Sequence, residues 1–283
     1  MTHHASLQGG SSAEVTLLEG FQKDGKIIKC VHRLYGEADL QQNPNVAYHE
    51  YRVLELCKIT GLKAPAPLYL DEPEYLFGRP SIVTEYISAS VDLKPRNLVD
   101  YILKMSHELA QIHQMKSGGV DLSFLLERDE CGIQVLGDNI NSRKLLFLSQ
   151  EIIEQCSALC PLQHKNTSVI LHGDYWPGNI LWKDGQLKAI IDWEDTRLGD
   201  PLADLSNARL EILMLFDSGK MDLFTENYGN HNQLNFYNLP WWDLYTASRF
   251  INRLEMFVSE GRDKTIIETK FFWFVEHAKS RMG

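Results

Sequence analysis

The segment Leu171-His-Gly-Asp-Tyr-Trp-Pro-Gly-Asn-Ile-Leu-Trp182 sets Asp174 and Asn179 five positions apart, and Asp192 follows thirteen residues after Asn179. An acid, an amide and a second acid in that order suit phosphoryl transfer. One carboxylate orients the attacking hydroxyl, while the amide and the second carboxylate hold Mg²⁺ on the phosphates of a nucleotide. The same residue types are common in turns, where Asx side chains bond the local backbone. The spacing, more than the types, therefore carries the reading.

These residues need a rigid support. The segments 169–171, 179–182 and 187–191 are short apolar runs joined by turn-rich loops, including Lys183-Asp-Gly185, and they predict a small island of strands. Asp174 and Asn179 then sit on a loop between strands, and Asp192 at a strand end. Around this island the periodicity is helical over 98–115, 143–160, 201–215, 241–258 and 264–282. The first third differs. A glycine turn at Leu7-Gln-Gly-Gly-Ser-Ser12 leads to an alternating strand over 26–33. A helix over 45–60 follows, with Val46, Val53, Leu54, Leu56 and Cys57 at helical spacing and Gly61, Pro65 and Pro67 as its stop. Strands are expected at 68–70 and 81–87, and the small polar run Ser88-Ala-Ser90 reads as a hinge. The expected fold is α+β and bilobal, with a sheet-rich lobe over 1–87 and a larger, mainly helical lobe over 88–283.

A chain of 283 residues, 44% hydrophobic and 23% charged, can bury a sizeable core. Its 38 Asp and Glu against 28 Lys and Arg give a formal charge of −10, unlike a surface that tracks nucleic acid or anionic lipid. No apolar run approaches the roughly 20 residues that span a bilayer, and none of signal-peptide length opens the chain, so a cytoplasmic protein without nucleic-acid or membrane partners is expected. Cys30, Cys57, Cys131, Cys156 and Cys160 are scattered and read as reduced thiols. Cys156 and Cys160, one helical turn apart, suit a helix face better than a metal site.

The two longer patterns, His172-Gly173-Asp174 with Asn179, and Ile191-Asp192-Trp193-Glu194 with Gly199-Asp200-Pro201, Asp204 and Leu205, resemble the signatures of the aminoglycoside phosphotransferase family, whose relatives include choline, ethanolamine, homoserine and macrolide kinases. The order matches the protein-kinase catalytic loop, with HGD for HRD and DWE for DFG. The resemblance covers nearly the whole chain and weakens past about Leu215. It implies a protein-kinase-like fold with Asp174 as catalytic base and Asn179 and Asp192 as Mg²⁺ ligands. It further implies that Gly9, Gly10 and Ser11 form a phosphate-side turn, that Arg33 is the strand cation paired with Glu50, and that the backbone from Glu85 to Ile87 holds the adenine. His172 braces its loop, and Asp204 matches a structural position. Alternatives stand beside several of these residues. Lys29 shares the strand face of Arg33, Glu55 competes with Glu50, and Gly9-Gly10 could be a loose tail near His3-His4.

Glu194, Asp195, Asp200, Asp204, Glu211, Asp217, Asp222 and Glu226 make an acidic run that fits a polyamine-like substrate or a solvated helix face equally well. Trp241-Trp242 and Phe271-Phe272-Trp273-Phe274 fit a helical core better than an acceptor pocket. The resemblance implies an enzyme that moves the γ-phosphoryl group of ATP or GTP, with Mg²⁺, to a hydroxyl of a small molecule. The acceptor classes are an aminoglycoside-like antibiotic, an amino alcohol, a sugar or an amino acid. The rival is a catalytically silent nucleotide-binding module acting through a protein partner. Oligomeric state does not follow from the sequence.

Overall fold

The computed structural model describes residues 3–6, 13–21, 23–72, 76–116, 119–128, 143–251, 254 and 263–282. In chain order run β1 (His3–Ser6), β2 (Ala13–Phe21), β3 (Ile27–Tyr35), α1 (Glu37–Gln42), α2 (Val46–Thr60), β4 (Pro67–Asp71), β5 (Ser81–Glu85), β6 (Ser90–Val91), α3 (Leu98–His113) and α4 (Arg143–Ala158). Then come β7 (Val169–Leu171), a 3₁₀ turn (Pro177–Asn179), β8 (Ile180–Lys183), β9 (Gln186–Ile190), β10 (Arg197–Gly199), α5 (Leu202–Leu215), α6 (Ser218–His231), α7 (Leu239–Phe250) and α8 (Lys264–Lys279). They gather into two compact units. The first comprises Met1–Asp92, Met115–Leu126 and Gly178–Thr196; the second comprises Leu93–Gln114, Glu127–Pro177 and Arg197–Gly283.

The first unit carries an antiparallel sheet in the order β1-β2-β3-β5-β4. Strand β3 alternates, so Val31, Arg33 and Tyr35 share a face. Its register sets Arg33 between Val15 of β2 and Ile82 of β5. Helix α2 buries Val53, Leu54, Leu56 and Cys57, and each such side chain taken fully from water contributes roughly 1.5–3 kcal/mol. The helix ends at Gly61, whose φ of 77° would cost a residue bearing a Cβ roughly 1–2 kcal/mol more. A second sheet orders β6-β8-β9. Its β8–β9 hairpin turns on Asp184 and Gly185, both at positive φ (53° and 68°), the geometry of a tight turn matching strand twist.

In the second unit β7 pairs antiparallel with β10, and Leu171 stands opposite Arg197. Helix α5 is buried on nearly every face and forms the centre of a helical body with α3, α6, α7 and α8. Trp242, Phe224, Tyr228, Phe271 and Phe274 fill that body, as core rather than pocket. Arg209 donates to both carboxylate oxygens of Asp243 at 3.1 and 3.0 Å, and Ser206 donates to Thr246 at 2.8 Å, so α5 is locked to α7. Asn97, Asp217 and Asp263 cap α3, α6 and α8 through backbone N–H groups.

The architecture is the expected α+β arrangement of an antiparallel sheet followed by a mainly helical part. Strand β2 and helix α6 were not foreseen. The first lacks clean alternation, and the second buries only Met221, Phe224 and Tyr228, at i, i+3 and i+7, in an otherwise mostly polar sequence. Among the described residues no helix is long and apolar enough to cross a membrane.

Candidate active site

A cavity of about 500 Å³ opens in the first unit, lined by Val31, Arg33, Glu50, Tyr86, Ile87, Asn179 and Asp192 among others. That volume lies in the range of small-molecule and cofactor pockets. At its polar end one guanidinium meets three carboxylates. Arg33 Nη2 donates to Asp192 Oδ1 at 2.7 Å and to Glu194 Oε2 at 2.8 Å, and Arg33 Nε lies 3.6 Å from Glu50 Oε2. Glu50 is only 2% exposed; it also accepts from the Tyr35 hydroxyl and from Trp193 N at 3.3 Å. Burial, followed by repulsion from Asp192, pushes the Glu50 carboxyl up, against the pull of Arg33. Burial would lower the Arg33 pKa, but the surrounding Glu50, Asp192 and Glu194 charges win and hold it well above its ordinary value.

Asn179 lines the same cavity, and Ile191 N donates to Asn179 O at 2.9 Å, which ties the start of β8 to the end of β9. Asp192 follows at φ 70°, a left-handed conformation that a non-glycine residue keeps only where its surroundings fix it. The pairing with Arg33 does so here. Three carboxylates around one guanidinium leave a formal surplus of two negative charges, which a divalent cation would neutralise. Among the described residues no three His, Cys, Asp or Glu side chains form a closed metal cage. Mg²⁺ does not require one, since it commonly takes one or two protein oxygens and completes its shell with phosphate and water. The donor set therefore fits a nucleotide-bound Mg²⁺.

Arg33 lines the cavity, whereas Lys29 is paired with Glu19 and stands over the Tyr86 ring. Glu55 is half-exposed and bound to Arg52 at 2.9 Å, so Glu50 is the carboxylate at Arg33. Glu85 N donates to Ala66 O at 2.8 Å, and Glu85 and Ile87 both line the cavity. Gly9, Gly10 and Ser11 lie outside the described residues. Glu194 and Tyr35 were not assigned a role from sequence. The Glu of DWE was the available signal for the first, and nothing marked the second.

Asp174 belongs to the second unit. Its loop is held from below by Asp204, which is 1% exposed and accepts from His172 N at 2.6 Å and Gly173 N at 3.0 Å. His113 Nε2 lies 3.1 Å from the same carboxylate, and its Nδ1 meets the Tyr228 hydroxyl at 2.5 Å. Burial works to raise the Asp204 pKa, yet the His113 hydrogen bond and charge, with the loop amides, bring it below the ordinary value. His172 Nδ1 accepts from Asp174 N at 3.3 Å, the bracing expected of it. Asn207 of α5 donates to Tyr175 O at 3.3 Å and lies 3.5 Å from Asp174 Oδ1, a contact no motif announced.

The model of the phosphotransferase enzyme family (APH) matches residues 30–245, most of the chain and all of Arg33, Glu50, Asp174, Asn179 and Asp192. The chain belongs to this family. As a member of the phosphotransferase enzyme family, it is 25% identical over 169 residues to mouse (Mus musculus) acyl-CoA dehydrogenase family member 10, a match covering 56% of this chain and 16% of that protein. It is 38% identical over 56 residues to viomycin phosphotransferase of Streptomyces vinaceus, covering 18% of this chain and 19% of that one. The chain thus spans less than a fifth of either relative's length. Among solved structures, amicoumacin kinase hAmiN in complex with AMP-PNP, Ca²⁺ and Ami shares the fold at a TM-score of 0.71 and 11% identity, over 97% of this chain and 88% of that one.

Proposed function

We propose that this phosphotransferase moves the γ-phosphoryl group of ATP or GTP to a hydroxyl of a small molecule: an aminoglycoside-like antibiotic, an amino alcohol, a sugar or an amino acid. The observation that carries the reading is the cavity in which Arg33, Glu50, Asn179 and Asp192 converge on a surplus of negative charge. Asn179 and Asp192 supply the oxygens for Mg²⁺, and Glu50 holds Arg33 in place for the phosphates. Glu85 and Ile87 offer backbone groups to the base, and Gly9, Gly10 and Ser11 cover the phosphates. On this reading the nucleotide-binding role of residues 1–87 extends to the strands of 178–196, and residues 88–283 otherwise serve the acceptor.

Bound Mg²⁺ nucleotide supplies the phosphoryl group and neutralises charge on its oxygens. Asp174 accepts a hydrogen bond from the acceptor hydroxyl, aims its lone pair and takes its proton as the acceptor oxygen bonds to the γ-phosphorus and the bond from that phosphorus to the departing nucleoside diphosphate breaks. Asp204 and Asn207 act as positioning residues that keep this carboxylate aimed. Such catalysis rests on orientation and electrostatics and needs no covalent enzyme intermediate. The test is thermal stabilisation by AMP-PNP with and without Mg²⁺, using Asp192→Asn as comparison. Mg²⁺-dependent stabilisation lost in that variant supports the site; stabilisation indifferent to both Mg²⁺ and Asp192 refutes it.

A further inference from the structure

Arg128, in the second unit, holds its guanidinium over the rings of Trp242 at 5.5 Å and Tyr245 at 5.3 Å. Its backbone N–H donates to Leu198 O at 2.8 Å, beside the Glu127–Leu198 bridge, which fixes it to β10. Gly199 makes that approach possible, since a Cβ there would stand 3.1 Å from Arg128 Cβ. The Arg128 Nε is buried without a hydrogen-bond partner. Two more cations converge on it. Arg197 precedes Leu198 on β10, and Arg249 follows Tyr245 by four positions on α7, hence on the same helix face. Burial lowers the Arg128 pKa, with Arg249 and Arg197 adding to the fall and Tyr245 and Asp204 opposing it, as expected of charges held close together.

Among the described residues none of the three arginines has an ion-pair partner, and for Arg128, whose Nε is buried, that lack is costly. The cluster adjoins the Asp174 loop within the same unit. Arg197 stands opposite Leu171, the residue before His172, and Asp204, whose charge reaches Arg128, holds the His172 and Gly173 amides. Within the acidic run, Asp200, Asp204 and Asp217 accept from backbone amides.

We propose that Arg128, Arg197 and Arg249 form an oxyanion subsite of the acceptor site, so that the acceptor carries a carboxylate or a phosphate ester in addition to its hydroxyl. This rests on the phosphotransferase reading above. Guanidinium forks match both oxyanions in bidentate fashion, and the aromatic faces of Trp242 and Tyr245 hold Arg128 flat for that contact.

The test is calorimetric titration of the protein saturated with Mg²⁺ and AMP-PNP, using glycerate, glycerol 3-phosphate and glycerol as probes. At least one anion should bind about tenfold or more tightly than glycerol, and which one does so separates carboxylate from phosphate. Arg249→Gln should lose about tenfold of that affinity, with Arg249→Lys intermediate and glycerol unaffected. Arg128→Gln should act likewise; because its core position risks misfolding, the exposed Arg249 decides. Equal binding of all three probes, or wild-type anion binding in both Arg249→Gln and Arg197→Gln, would overturn the proposal. Anion binding that depends on Arg249 in a protein that fails to bind AMP-PNP would instead refute the phosphotransferase reading and leave the anion subsite standing.

Discussion

Replacing Arg33 with Met roughly keeps the volume of the side chain and removes the guanidinium that touches Glu50, Asp192 and Glu194. The cluster then passes from a formal charge of −2 to −3 around a carboxylate that is 2% exposed. Breaking a buried ion pair from one side costs about 3–5 kcal/mol. Asp192 and Glu194 keep 24% and 15% of their side-chain surface, so water screens part of the loss and the lower end, about 3 kcal/mol, applies. At roughly 2–4 °C per kcal/mol for a chain of this size, the melting temperature should fall by about 6–12 °C. The loss should be greater at pH 8 than at pH 5. Glu50 already has a raised folded pKa, removing Arg33 raises it further, and stability declines as pH rises from the unfolded value through the folded one. Millimolar Mg²⁺ should recover part of the loss without nucleotide. Differential scanning fluorimetry over pH and Mg²⁺ reads all three effects. A variant that melts within about 2 °C of wild type at pH 8, with no response to Mg²⁺, would refute the charge accounting.

Asp204→Asn should flatten the acid limb of stability. The depressed carboxylate contributes stability present above its unfolded value of 3.8 and lost as pH falls through the folded one, so denaturant midpoints should differ from wild type at pH 5 and converge toward pH 2. Gly199→Ala places a Cβ 2.9 Å from Leu171 Cδ1 and 3.1 Å from Arg128 Cβ, and should cost about 1–3 kcal/mol in chemical denaturation. Asn207→Ala frees the Asp174 carboxylate on one side and should lower kcat about tenfold while leaving KM for nucleotide unchanged in steady-state assays.

Much of this molecule was legible in its sequence where local rules and tertiary demands agree. Gly61 ends α2 at a positive φ, Asp184-Gly185 turns the β8–β9 hairpin, and the apolar spacing of α3 matches its buried face. The choices left open between Arg33 and Lys29, and between Glu50 and Glu55, were of another kind. Alternation puts both cations on one face of β3, and only the packing of α2 shows which carboxylate is buried beside which charge. Asn207 and Arg128 were invisible because their partners lie 32 residues or more away in sequence, with no motif joining them. Strand β2 was missed because both of its neighbours supply the pairing that its own pattern does not announce.

The central claim concerns Asp174, whose loop Asp204 and His172 hold through its backbone amides and whose carboxylate Asn207 meets. Its most direct test is coupled ADP release with Mg²⁺ATP over a panel of aminoglycosides, amino alcohols, sugars, hydroxy acids and homoserine, comparing wild type with Asp174→Asn. Stimulation by one acceptor class, lost at least about a thousandfold in the variant while nucleotide affinity stays within about twofold, is the predicted result. An Asp174→Asn protein that turns over the same acceptor at the wild-type rate would contradict it.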